Sequence, residues 1–276
     1  MPRTAPPVVD PTHRPKPPSP VRRPQPAPVP RSAPDDAPSG LPPLCNGDRL
    51  TQPEFHRRYL ATPKAFHAEL IEGMVFVMAS PISLTKHAGP QGFLIGWLSF
   101  YAANTVGTKA LGPITLIIDN ENEVEPDAML RVDHERGGSS RPTDDDFLSG
   151  VPELVVEVAA SSAAYDLNIK KHLYARIGVP EYIVATAHER GVHWFVLRDG
   201  EYVELAPDDD GVYRSPTWPG LWLPADALWA HDLAAAIATT QAGIATDAHA
   251  AFVARLGGTG DPAMPTASTE STTPTS

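Results

Sequence analysis

The stretch "PELVVEVAASSAAYDLNIKKHLYARIGVPEYIVAT", Pro152 to Thr186, holds three elements in a row. Glu153–Ala159 reads as a buried strand, because it is a short apolar run rich in β-branched residues. A helix is expected from about Asp166 to Ile177. Gly178 is placed to end it, with Pro180 just beyond. "EYIVATA" then reads as a second strand.

One residue interrupts the first strand. With side chains alternating along a strand, Leu154, Val156 and Val158 share one fully apolar face. Val155, Glu157 and Ala159 share the other, so a carboxylate stands inside the core pattern. A lone ionised carboxylate there is costly unless something pairs with it. A buried Arg or Lys, a proton, or a divalent cation shared with a second acid would each serve. Magnesium suits a few carboxylates and several waters. These residues alone favour the structural ion pair.

The helix that follows shifts the balance. Asp166, Lys170 and Tyr174 recur every four residues and so share a face. If that face packs back over the strand ends, Lys170 reaches the carboxylate. A lysine beside two acids and a metal can position water and stabilise phosphoryl charge. The plainer alternative is an Asp166–Lys170 surface pair with Tyr174 as core. Lys171 is the rival lysine, about a third of a turn away.

Further elements fall on both sides. "TQPEFHRRYLAT" (Thr51–Thr62) looks like a short helix with Thr51 as N-cap and Pro53 in its first turn. "HAELIEGMVFVMA" (His67–Ala79) reads as two strands turning at Glu72-Gly73. Leu94, Ile95, Leu98 and Tyr101 have helical spacing, predicting a helix from about Gly89. "GPITLIID" and "EVEPDAMLRV" are two strands separated by "NENE", and "HERGGSSRPTDDDFLSG" reads as a polar loop. Downstream, "GVHWFVLRDGEYVELA" carries a hairpin signal at "RDGE". "VYRSPTWPGLWLPADAL" adds strands and turns before a closing helical region from Asp226. The order predicts an α/β domain with helices flanking a central mixed sheet.

Composition bounds the rest. Residues 1–44 hold 16 of the 32 prolines, which predicts an extended, basic, Pro-rich disordered arm. Six Lys or Arg against one Asp give residues 1–34 a charge of +5, leaving −16 for the rest of a chain of net charge −11. A Gly/Ser/Thr/Pro-rich tail over 257–276 is also expected to be disordered. Residues 45–256 form one domain of sufficient size for a core. A single cysteine, Cys45, excludes an internal disulfide framework. No long apolar segment and no apolar leader are seen, so no membrane span is expected and a cytoplasmic protein is the default.

The pieces "ELIEG", "SP" followed by His87, "EPD", "PELVVEV", the Asp166-Lys170-Tyr174 spacing and "GVPEYIV" occur in one order from about Gln52 to Leu205. In that order they resemble the Uma-two family of restriction-endonuclease-like proteins, in the PD-(D/E)XK nuclease superfamily. The resemblance implies a restriction-endonuclease-like core in which Pro126-Asp127 and Glu157 supply the acidic motif. The superfamily's usual lysine position is Ala159 here, and Lys170 matches variants in which the lysine has moved to the next helix. Glu69 matches a family acid near the metal, and Glu72 a more variable position. His87 matches a family histidine that can face phosphate or simply start a helix. After "VEV" the family commonly carries Ser-Pro-Ser, whereas this chain has "AASS".

The expected activity is hydrolysis of nucleic acid, DNA in the first instance, with Mg²⁺ or Mn²⁺ held by Asp127, Glu157 and Glu69. Tyr174 and Asp166 would orient Lys170. A homodimer would suit double-strand cleavage, although no stretch marks an interface. The alternative is a non-catalytic binding or regulatory protein that keeps the fold. The acidic body and the lack of a basic, aromatic-interleaved segment favour that alternative. A glycosidase acid pair leaves Lys170 without a role.

Overall fold

The computed structural model describes residues 40–78 and 83–257. The Pro-rich arm expected over 1–44 falls outside them except for its last five residues. Of those, Leu44 is fully buried beside Phe55 and Leu70. The tail expected over 257–276 falls outside them except for Gly257, which closes the last helix.

Two six-stranded sheets carry the chain. Helix α1 (Gln52–Tyr59) precedes a hairpin of β1 (Ala68–Ile71) and β2 (Met74–Val77). Glu72 and Gly73 both have positive φ, 52° and 70°, the backbone a two-residue hairpin turn requires. A π-helical turn, Leu84–Ala88, runs straight into α2 (Gly89–Ala103). Strands β3 (Thr108–Leu111), β4 (Leu116–Asp119), β5 (Asn122–Val124) and β6 (Ala128–Val132) follow, then β7 (Ser140–Pro142) and β8 (Leu148–Gly150). The opening stretch forms β9 (Leu154–Ala159), a π-helical segment (Tyr165–Lys170), α3 (Lys171–Ile177) and β10 (Glu181–Thr186). Strands β11 (Gly191–Arg198) and β12 (Glu201–Leu205) form the expected hairpin. A small ribbon of β13 (Val212–Arg214) and β14 (Trp222–Pro224) comes next. Helices α4 (Ala225–Ala230), α5 (Leu233–Ile244) and α6 (Asp247–Gly257) close the described chain.

The first sheet has the order β2-β1-β5-β4-β8-β7 and the second β12-β11-β10-β9-β6-β3. Parallel pairs are β4–β8 and β9–β10, the latter joined by the helical crossover, and the other pairs are antiparallel. The fold class is the mixed α/β architecture expected, with its strands divided between two sheets. Two sequence readings are corrected. "EVEPDAMLRV" is two strands, β5 and β6, broken at Pro126, which has no N–H to give a ladder. The "polar loop" after β6 contains the β7–β8 hairpin. Strand β3 was not foreseen.

The alternation read from β9 is the one observed. Leu154, Val156 and Val158 enter a core with α2, Trp194 and the closing helices. Val155 and Ala159 enter a second core with Tyr174, Tyr182 and Met129. Burying each of these Val and Leu side chains contributes about 1.5–3 kcal/mol. No helix among the described residues is long and apolar enough to cross a membrane.

Candidate active site

The site forms where the chain crosses between the sheets. Glu125-Pro126-Asp127 links β5 in the first sheet to β6 in the second. Ala128 pairs with Val156 on β9, so Asp127 stands at the end of β9 that carries Glu157. Its Oδ2 accepts a 2.7 Å hydrogen bond from the N–H of Val158, the residue after Glu157. Its Oδ1 is 3.0 Å from His87 Nε2 and accepts from Gln91 Nε2 at 2.9 Å. His87 and Gln91 are four residues apart, across the junction of the π-turn with α2, and grip one carboxylate oxygen together.

Glu157 and Lys170 meet directly. Lys170 Nζ donates to Glu157 Oε1 at 2.8 Å and lies 2.8 Å from Glu69 Oε1. Glu69 belongs to β1 and Glu157 to β9, so the ammonium joins the two sheets. The Tyr174 hydroxyl also donates to Glu157 Oε1, at 3.0 Å. Glu69 Oε1 accepts from Glu125 N at 2.8 Å and Oε2 from the Tyr165 hydroxyl at 3.0 Å. The Tyr165 ring lies 5.5 Å from the same ammonium. Lys171, the rival, instead sits 3.9 Å above the Phe195 ring.

The electrostatics follow from burial. Glu69, Glu157, Asp166 and Lys170 are each only 2–3% exposed. Desolvation pushes the Glu157 carboxyl well above the usual carboxylate range, with Lys170 opposing it. Desolvation also works against the Lys170 charge, yet Glu157, Glu69 and Asp166 together hold its pKa well above that of a free lysine. These directions agree, since one ammonium among several buried acids stays charged while acids compete for it. Burial raises Asp166 as well, although Ser162 Oγ donates to its Oδ2 at 2.6 Å. The hydrogen bond to Asp127 raises His87.

These groups line one cavity of about 520 Å³. Asp127, Glu157, Lys170, Glu69, Asp166 and His87 all face it. Tyr174 lies behind Glu157 and does not. Asp166 forms no ion pair with Lys170 and stands on the wall beside it. Glu72 sits in the β1–β2 turn, with Arg176 at 3.8 Å, away from the cavity. Sequence reasoning missed Gln91 and Tyr165. The four-residue spacing from His87 could have found Gln91, whereas nothing in the pattern marked Tyr165.

The donor set is all oxygen, as a hard cation requires. Asp127 directly precedes β6 and Glu157 lies within the paired strand β9, and two carboxylates with waters suffice for Mg²⁺. Among the described residues, no three His, Cys, Asp or Glu side chains are spaced to hold a metal by themselves. Glu69 has both oxygens tied to Lys170, Tyr165 and a backbone N–H, so joining the ligands would require exchanging those bonds. Asp127 likewise has both oxygens tied, to His87, Gln91 and the N–H of Val158, so a cation held by Asp127 and Glu157 would also have to displace protein partners.

A family model described as "Uma2: Putative restriction endonuclease" matches residues 52–226. A solved structure from Anabaena variabilis ATCC 29413, described as a putative nuclease belonging to DUF820, is similar at 13% identity and a TM-score of 0.48. The match covers 63% of this chain and 96% of that one. No curated protein matches the chain.

Proposed function

Because the chain belongs to the Uma2 family, we propose that its cavity is a nuclease active site that hydrolyses phosphodiesters with a divalent cation. The observation that carries this reading is the buried Lys170 ammonium, 2.8 Å from Glu157 and Glu69 in a cavity that also holds Asp127. Asp127 and Glu157 would hold Mg²⁺, which supplies Lewis acidity to phosphoryl oxygens and acidifies water. Lys170 supplies a fixed positive charge where negative charge grows on the phosphoryl group. Tyr165 and Glu125 N hold Glu69, which holds Lys170. Tyr174 fixes the Glu157 carboxylate, and His87 with Gln91 fixes that of Asp127. In hydrolysis a water oxygen bonds to phosphorus, one P–O ester bond breaks, and the leaving oxygen takes a proton.

Cleavage of nucleic acid should require Mg²⁺ or Mn²⁺. It should fall by at least about a hundredfold in Asp127→Asn, Glu157→Gln and Lys170→Ala. Activity that survives EDTA, or persists undiminished in all three variants, overturns the reading. One observation favours a non-catalytic protein that keeps the fold: each acid of the site already has protein partners. Calorimetric titration separates the two, since that second reading expects no heat from millimolar Mg²⁺ or Mn²⁺.

A further inference from the structure

The chemistry lies at the floor of a cavity. Glu157 and Lys170 are 3% exposed, and the more accessible side chains of Asp127 and His87 reach only 15% and 20%. The walls come from different directions: β1 supplies Glu69, the π-turn and the start of α2 supply His87 and Gln91, and the crossover supplies Tyr165. From this depth, at the floor of a half-open cavity, we infer that the site takes a phosphodiester from a single strand, or from a nucleotide swung out of a helix. A phosphate within a continuous duplex does not reach it. The inference rests on the nuclease reading above and specifies its substrate.

The physical argument is one of access. A duplex is stiff over tens of base pairs, so its phosphates stay on the surface of a straight rod. Contact with groups this deeply covered requires the strand to leave that rod. Enzymes that do chemistry on a base work on single strands or extrude the nucleotide into a pocket, and extrusion costs unpairing and unstacking; a phosphate drawn out of the duplex with its nucleotide carries the same cost. A cavity of about 520 Å³ is in the range that encloses a small ligand. Its lining also suits a flexible strand. Lys86, His67 and His188 offer cationic or donor groups to phosphate, and Met78, Pro113 and Tyr165 offer apolar surface to sugar and base.

The test uses the full chain with Mg²⁺ on three circles of matched length: single-stranded DNA, single-stranded RNA and relaxed, covalently closed duplex DNA. Circles remove frayed ends, which would give a duplex local single strands. At least one single-stranded circle should be cut about a hundredfold faster than the duplex. Comparison of the two single strands tells which sugar is accepted. If the duplex is cut as fast as both single strands and Glu157→Gln abolishes that cutting, the nuclease reading stands and this inference falls. If no circle is cut, both fall. Binding gives a second readout, free of turnover. By fluorescence anisotropy, Glu157→Gln should bind a labelled single strand at least about tenfold more tightly than a closed hairpin duplex. Equal binding overturns the inference.

Discussion

The ammonium of Lys170 is held between two carboxylates that bulk water barely reaches. Breaking such a pair from one side costs far more than the pair contributes, because it strands charge in a poor solvent. Lys170→Met should therefore destabilise the fold by about 3–5 kcal/mol near pH 8. The pH dependence has a definite sign. Burial already raises Glu157, and Lys170 is what draws it back. Without the lysine its folded pKa rises further above the unfolded value. Such a group contributes stability at low pH that is lost as pH rises through the folded pKa. The penalty in urea denaturation should thus be smaller at about pH 5 than at about pH 8. Equal penalties would refute the account. At this scale Glu157 was legible, because a charge inside an apolar strand must be explained. The partnership of Lys170 with Glu69 was not, since 101 positions separate the two residues and nothing local records their distance. Tyr165 was invisible for the same reason.

The elements were readable where burial imposes a period. Strand β9 and helix α2 carry long apolar runs, and their faces fell where alternation and helical spacing put them. Strands β7 and β8 have three residues each and polar composition, too little for any period. Bonds from the other sheet hold that region instead: Arg131 on β6 donates from Nε to Ser140 Oγ and from Nη2 to Ser140 O. Helix α6 docks by a similar polar contact. His249 Nε2 lies 2.9 Å from Thr105 Oγ1, just past α2, and its ring meets Tyr101 edge-on at 5.7 Å. Burial lowers the His249 pKa below its ordinary 6.5. The folded state then binds fewer protons than the unfolded chain. Its contribution is complete above the unfolded value and lost as pH falls toward the folded one. In urea denaturation, wild-type protein should lose more stability than His249→Gln between about pH 7.5 and about pH 5. Parallel stability curves would contradict this.

At the scale of the whole molecule, α2 is the shared wall. Its sequence "GPQGFLIGWLSFYAA" has no charged residue, and its large apolar side chains Phe93, Leu94, Trp97, Leu98 and Tyr101 are buried, which leaves only a stripe of small residues, Gly92, Ser99 and Ala103, open to solvent. Sheet two covers one side through Leu130, Val156 and Trp194. The closing helices cover another: Leu233, Ile244 and Phe252 pack on the same core, and Gly220 and Gly243 let backbones touch where a Cβ would collide. Thr240 of α5 pins the join, because its hydroxyl accepts from Trp97 Nε1 and donates to Trp222 O, both at 2.9 Å. Thr240→Val leaves Trp97 the Trp222 carbonyl at 3.1 Å, so it should cost only about 1–2 kcal/mol. Ending the chain after His231 is a different matter. It strips cover from Trp97, Tyr101 and Trp218, and α2 carries Gln91 at its start, which grips Asp127. The shortened chain should bind a hydrophobic dye, lose its near-ultraviolet circular dichroism and lose cleavage, whereas Thr240→Val should keep all three properties of the parent. A shortened chain that still melts cooperatively with intact aromatic dichroism would mean that α2 is stable without α5 and α6. The closing helices would then be an accessory to the site and not part of what holds it in place.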